Sequence, residues 1–220
     1  VCYRSNVWNI GAEGQYLLGA LAGGGVALWL TTQGIVLPKL ISVPLVLIGG
    51  VLGGMAWAAI TALLRDKFNA SEILVSLMLV YVAQQLVNYM VFGPWKDPAG
   101  FNFPQSKNFD PSTWLPNLLS GTRLHIGFVI ALVAVGLTWV FMFRMFRGYQ
   151  LQVGGLAPDA ARYAGFSASA SLWTAMMVSG GLAGLAGAID AIGPIRQITP
   201  HMSSGLGFTA IIVCFVGRLH

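Results

Sequence analysis

The stretch "WNIGAEGQYLLGALAGGGVALWL", residues Trp8 to Leu30, decides how the rest of the chain is read. It sets Asn9, Glu13 and Gln15 directly against a run that carries no charge from Tyr16 to Pro38. A segment of about 20 mainly apolar residues can cross the hydrocarbon layer of a bilayer as a helix. An ionisable group within the hydrocarbon layer costs up to about 2.5–3.5 kcal/mol on insertion scales and is rarely kept without a use. The "NIGAEG" backbone is itself irregular, because two glycines and an asparagine interrupt the helix. Such backbone survives at membrane depth only when buried in protein or lining a cavity. Two roles stay open for Glu13. It either faces a polar pathway or sits at a helix entrance, complementing the dipole of the following helix while Asn9 and Gly11 shape the approach.

Composition extends the membrane reading to the whole chain. Of 220 residues, 56% are hydrophobic and 9% charged, with 28 glycines and a mean hydropathy of +0.73. A soluble domain carries about 25% charged residues. The apolar runs are separated by short polar stretches, so the fold class is all-α: a polytopic transmembrane helix bundle with broken or re-entrant helices and about five or six spans. The net charge of +5 comes from scattered lysines and arginines with no run or stripe, which excludes a nucleic-acid surface and fits loop ends beside membrane helices. Cys2 and Cys214 have neither zinc-site nor redox-pair spacing and read as inert. His125 and His201 have no partner at ligand spacing, so no metal site is expected.

The spans fall at Tyr16–Leu30, Leu45–Leu64, then from "NASE" to Phe92, Leu124–Phe143 and Leu172–Ile192. A short apolar piece, Gly207–Val216, cannot span alone. "NASE" has the form of a helix start, with Asn69 or Ser71 as cap and Glu72 in the first turn. Residues 93–123 hold half of the ten prolines and form an extramembrane loop. Residues 144–171 form a second polar segment. Placing Arg4, Arg65, Lys67, Arg144, Arg147 and Arg162 in the cytoplasm leaves Lys39, Lys96, Lys107, Arg123 and Arg196 outside, which makes 93–123 extracytoplasmic and 144–171 cytoplasmic.

Three further constellations carry chemistry. Tyr81, Gln84, Gln85 and Asn88 fall within an arc of roughly 100° on the third span, giving it one polar face. That face serves either interhelical hydrogen bonds or solute contact. In "SGGLAGLAGAID", glycine and alanine at four-residue spacing make a close-packing surface, and Asp190 shares a face with Gly187. Asp190 is open to pairing with Arg196, capping a helix end, or standing at the mouth of a pathway. In "GGLAPDAARYAG", Pro158 and Asp159 mark a helix start, Arg162 lies near its end and Gly165 stops it. Such a helix between spans is either a docking surface or an amphipathic connector on lipid. No Walker-type GxxxxGK[ST] and no HExxH occur, and seven acidic residues with three histidines leave enzymatic chemistry little to use.

As a set and in order, "WNIGAEGQYLLGALAG", "ASEILVSLMLVYVAQQLVNYMVFGPWKDP", "APDAARYAGFS", "GLAGLAGAID" and "GLGFTAIIVCFVGRLH" resemble the permease subunit of ABC importers. The branch is that of branched-chain amino acids, simple sugars and nucleosides, and "NIGAEGQ" and "GFTAIIV" are most similar to its nucleoside (guanosine-type) or simple-sugar group. The resemblance implies that Glu13 and its glycines belong to a discontinuous element beside a translocation pathway, for which Asn9, Gln15, Tyr81, Gln84, Asn88 and Asp190 are the further candidates read from the residues. It also implies that Pro158, Asp159, Ala160, Arg162, Tyr163 and Gly165 engage an ATP-binding subunit. No cofactor is expected on this chain itself, ATP and Mg belonging to that partner. Further partners implied are a second, identical or homologous permease, an extracytoplasmic solute-binding protein and the lipid bilayer, with a bacterial inner-membrane location. The family has more spans than this chain, so residues 1–220 are expected to be a single permease domain lacking both ends. An ion-coupled carrier or channel with Glu13 or Asp190 in its pathway is the alternative.

Overall fold

The computed structural model describes residues 1–100, 103–118, 121–122 and 124–217. Among these the chain is built of eight α-helices: α1 (Ala12–Thr32), α2 (Lys39–Phe68), α3 (Glu72–Phe92), α4 (Gly127–Arg144), α5 (Phe146–Leu156), α6 (Pro158–Tyr163), α7 (Ala168–Asp190) and α8 (Leu206–Val216). α7 runs on through a π-type turn, Ala191–Ile195. Four of the described helices are long and apolar enough to cross a membrane: α2, α3, α4, and α7 with its extension to Ile195.

α1 is absent from that group, although its 21 residues would reach about 30 Å. Its glycines and polar first turn lower its hydropathy, and its surroundings permit this, because α2, α3, α7 and α8 pack around it. Four candidate spans, together with the apolar α1, largely enclosed by other helices, and the short α8, make up the expected helical bundle. Lipid accepts only apolar side chains, whereas a helix wrapped in protein can be smooth and small-sided.

Glycine makes the enclosure possible. A Cβ on Gly184 would lie 2.9 Å from Gly54 Cα, and one on Gly180 would lie 2.7 Å from the Gly54 carbonyl oxygen. A Cβ on Gly19 would collide with the Gly184 backbone. Three backbones, α1, α2 and α7, therefore meet at one level, and dispersion across the contact replaces the hydrophobic driving force that lipid does not supply.

Boundaries shift where local signals mislead. α2 begins at Lys39 rather than Leu45 and contains Pro44, whose missing N–H falls only a turn and a half from the helix start. Ser71 occupies the N-cap position of α3, while Asn69, a candidate for it, instead ends α2 in the left-handed conformation at φ 51°. Glu72 bridges back to Arg65 at 3.3 Å. α5 had no counterpart in the sequence reading. Three glycines mask it, two of which are contact points: a Cβ on Gly148 would meet Met142, and one on Gly155 the backbone of Ser5 at 2.9 Å.

The topology gathers Arg4, Arg65, Lys67, Arg144, Arg147 and Arg162 at one end, the basic end, and Lys39, Lys96, Lys107 and Arg196 at the other, the loop end. Arg123 lies outside the described residues. At the loop end, residues 103–118 fold over the chain that follows α7. Ser106 N donates to Ile198 O at 2.9 Å, Phe109 N to Arg196 O at 3.0 Å and Leu115 N to Ile192 O at 3.2 Å. The loop thereby supplies donors to carbonyls that no helix would satisfy.

The glycine contact gives the first prediction. Gly184→Val should overpack the three-helix junction by about 1–3 kcal/mol or more and abolish monodisperse protein in detergent. Gly136→Val on α4, where a Cβ would meet nothing within 4 Å, should leave yield and melting temperature unchanged.

Candidate functional site

The site forms where helices stop partway. Gly19 packs on Gly184 and Gly23 on Ala188, so α1 and α7 run parallel. Ala12 then stands opposite roughly residue 177, about nine residues or 14 Å inside the start of α7. The space beneath α1 holds residues 1–11 in largely irregular backbone with one 3-10 turn, Tyr3–Ser5. This segment is pinned to α7: the Cys2 thiol donates to Ala175 O at 3.3 Å and Asn9 Nδ2 to Ser179 Oγ at 3.1 Å.

Asn9 and Gln15 form a closed amide pair. Asn9 Nδ2 donates to Gln15 Oε1 at 3.0 Å, Gln15 Nε2 returns a bond to Asn9 Oδ1 at 3.2 Å, and Gly11 N also donates to that oxygen at 3.0 Å. Both side chains are buried. Their polarity is matched within the protein, which is what irregular backbone at depth requires.

Glu13 is 5% exposed. Its carboxylate accepts from Gly207 N at 2.6 Å, from Gly205 N at 3.2 Å and from the Ser203 hydroxyl. Those donors open α8, whose N-cap Gly205 has φ +86°. One carboxylate in the first turn of α1 therefore also caps a second helix, and the positive dipole ends of α1 and α8 converge on it. The fit is tight: a Cβ on Gly207 would lie 2.7 Å from Glu13 Cα. Glu13 thus caps a helix about 190 residues away in sequence as well as standing in the first turn of its own. Ser203, Gly205 and Gly207 went unread, although the "SSGLG" run before an apolar segment is a helix-start signal.

Asp190 accepts from the Tyr16 hydroxyl, not from Arg196. Arg196 lies with its guanidinium carbon 4.2 Å above the Trp114 ring, held there by its own left-handed backbone at φ 62°. Ion pairing lost to stacking because that turn swings Arg196 toward the loop. Spacing alone could not reveal Tyr16 as the partner.

The polar face of α3 is open. Tyr81 is 69% exposed, Gln85 is exposed, and Gln84 and Asn88 are half-buried. Gln84 Nε2 donates to Pro200 O at 2.7 Å, tying α3 to the chain between α7 and α8. Asn88 donates to Gln85 at 3.2 Å and stands 3.4 Å from the Gln84 amide.

At the basic end α6 is six residues long and stands out from the bundle. Pro158, Asp159, Ala160 and Arg162 are exposed, and Tyr163 is 97% exposed. Ala161 alone is buried. Phe166 N donates to Ala161 O at 2.9 Å and Gly165 N to Arg162 O at 3.0 Å, with Gly165 at φ +78°. This is a Schellman stop, the role expected of Gly165. A cleft of about 460 Å³ beside it is lined by Arg65, Asp66, Glu72 and Arg162. Among the described residues no three His, Cys, Asp or Glu side chains gather closely enough to hold a metal ion.

The described residues thus form an all-helical membrane bundle with helices that begin or end at depth and a capped, exposed helix between spans. The chain belongs to the branched-chain amino acid transport system / permease component family, whose model matches residues 1–220. It is 36% identical to a glucose ABC transporter permease protein of Haloferax volcanii, over 98% of this chain and 58% of that protein. It is 32% identical to a guanosine ABC transporter permease protein of Bacillus subtilis, over 98% of this chain and 61% of the relative. A nucleoside ABC transporter permease protein of Lactococcus lactis is 28% identical over 99% of this chain and 61% of its own length. The chain thus spans about three-fifths of the relatives it matches. No solved structure matches it.

Removing the Glu13 cap should free α8. Glu13→Ala leaves the Gly205 and Gly207 amides without their acceptor, a loss of about 1–3 kcal/mol. Amide exchange over Leu206–Val216 should then accelerate at least about tenfold, with α2 and α7 unchanged. Unaltered exchange in α8 would show that its aromatic contacts suffice.

Proposed function

We propose that this chain is the membrane-spanning permease of an ATP-driven importer for a small polar solute, a nucleoside or simple sugar. The observation that carries the reading is α6: a helix with its own start and stop, anchored by one alanine, that exposes Asp159, Arg162 and Tyr163 at the basic end. A connector lying on lipid would turn apolar side chains outward, whereas α6 turns out charge and a ring. The printed names of the relatives support the solute class. Orientation follows the positive-inside rule, with the basic end and residues 144–171 cytoplasmic and residues 93–123 extracytoplasmic.

In this proposal Pro158, Asp159, Ala160, Arg162, Tyr163 and Gly165 form the seat for an ATP-binding subunit, which supplies ATP and Mg. The route runs past the open polar face of Tyr81, Gln84 and Asn88, completed by a second permease, identical or homologous. Asn9, Glu13, Gln15 and Asp190 hold the broken helices beside it. A solute-binding protein delivers from the loop side, and the assembly resides in the bacterial inner membrane. An ion-coupled carrier gains less support, since the Glu13 carboxylate is occupied by three donors and Asp190 by Tyr16.

Arg162→Glu in the full-length protein should leave expression and detergent stability near normal, because an exposed charge contributes about 0–1 kcal/mol to the fold. Co-purification of the ATP-binding subunit and solute-stimulated ATP hydrolysis should fall at least about tenfold, since a desolvated interface contact is worth about 2 kcal/mol or more. Retention of the partner with full stimulated turnover would make α6 a connector. Uptake into vesicles without any ATP-binding subunit would refute ATP coupling.

A further inference from the structure

Helix α5 has two apolar sides, and only one of them is packed on the bundle. Its buried residues, Gly148 and Leu151, lie on the same side as Gly155. At 100° per residue, Phe146, Tyr149, Val153 and Leu156 fall within an arc of about 80° turned away from that side. Phe146, Tyr149 and Leu156 are exposed and Val153 is half-buried. The stripe carries no charge, and Arg147 and Gln150 sit on its flank. The Phe146 and Tyr149 rings stack with centroids 6.5 Å apart, and Phe166, from the segment after α6, meets both edge-on at 6.0 and 6.4 Å.

Packing sets the depth of this stripe. A Cβ on Gly148 would lie 2.7 Å from Met142 Cα, and Gln152 Nε2 donates to Met142 O. Seven residues further on, a Cβ on Gly155 would lie 2.9 Å from the Ser5 backbone, next to Arg4, whose guanidinium carbon stands 5.9 Å from the centre of the Phe143 ring. Both halves of α5 are thus held at the last turn of α4, so the helix crosses the end of that span instead of prolonging it. α4 is a candidate span with only 11% of its apolar window buried, and Phe143 in its last turn is 48% exposed. Hydrocarbon that covers α4 therefore reaches the level at which α5 lies.

A helix about 16 Å long, placed across the end of a lipid-facing span and turning rings and aliphatic side chains outward, has the features of one lying in the membrane plane. Its rings stand where amphipathic aromatics favour the boundary between headgroups and acyl chains. α6 differs in each respect, since it stands out from the bundle and exposes Asp159, Arg162 and Tyr163.

We infer that α5 is an in-plane membrane anchor, with Phe146, Tyr149, Val153 and Leu156 seated in the headgroup–acyl boundary of the lipid. α6 follows after Ala157 alone, so the anchor fixes the depth at which α6 is presented. The inference does not rest on ATP coupling and is measured without transport.

The test uses the full-length permease with its native cysteines replaced, reconstituted in phosphatidylcholine vesicles, and a nitroxide attached after Tyr149→Cys or Leu156→Cys. At both positions the ratio of collisions with oxygen to collisions with a charged, water-soluble metal chelate should exceed that of the free label in buffer at least about tenfold, because hydrocarbon admits the apolar probe and excludes the charged one. A benzoylphenylalanine at Tyr149 should capture lipid, with the ATP-binding subunit absent or present. A ratio within about twofold of the free label would place the stripe in water and overturn the anchor. Shielding of the nitroxide from both probes overturns it as well. So does capture of the ATP-binding subunit, another segment of the permease or a second copy in place of lipid. Failure of the ATP-binding subunit to bind at all, with lipid still captured, would count against ATP coupling and leave the anchor standing.

Discussion

A helix that stops inside a bilayer exposes amide donors that nothing in hydrocarbon can satisfy, and this constraint organises the centre of the molecule. α8 starts beside the first turn of α1, so Ser203, Gly205 and Gly207 need an acceptor there. The Glu13 carboxylate provides it, and the positive end of two helix dipoles offsets the cost of burying the charge. Neither side is stable alone. An unpaired carboxylate at that depth is expensive, and so are two unpaired amides. The closed Asn9–Gln15 pair applies the same logic one turn below, where the backbone of residues 1–11 has no helix to complete.

That dependence explains what could be read from the sequence and what could not. The apolar runs exposed the spans because lipid imposes its preference residue by residue. The α6 helix was legible for a similar reason: Pro158, Asp159 and Gly165 are local signals that act within a few residues. The partner of Glu13 was not legible, because it lies about 190 residues away and is mostly backbone. Asp190 illustrates the same limit, since Arg196 is near in sequence while Tyr16 is near in space. α5 escaped notice because its glycines, poor helix formers by propensity, are there for close packing on Met142 and Ser5.

Stiffness is distributed unevenly, and the distribution follows from side-chain size. Where Gly19, Gly50, Gly54, Gly180 and Gly184 bring three backbones together, no rotamer can yield, so α1, α2 and α7 form one body. α4 lies at the opposite extreme. Only 11% of its apolar window is buried, and a cleft of about 490 Å³ separates it from α7. α8 is intermediate, with its start fixed by Glu13 and its far end held by Phe215 against Tyr3 and Trp8 at 5.7 and 6.1 Å.

Those aromatic contacts place the basic end and the buried carboxylate within one continuous set of packed groups. α6 follows α5 with only Ala157 between them, and α5 lies on the 3-10 turn that carries Tyr3. Tyr3 meets Phe215 near the end of α8, and α8 begins at Glu13. Contiguity alone does not transmit force; a two-state element must lie along the way. Of the elements joined by these contacts, α8 is the one held mainly at its ends, an eleven-residue helix whose only buried residue is Gly207. The three-helix body, interlocked by glycine contacts, has no such element, whereas α8 is joined to it chiefly through its cap. A two-state α8 requires its cap to be an interaction that can break and re-form, which hydrogen bonds to a carboxylate allow and an interlocked glycine contact does not.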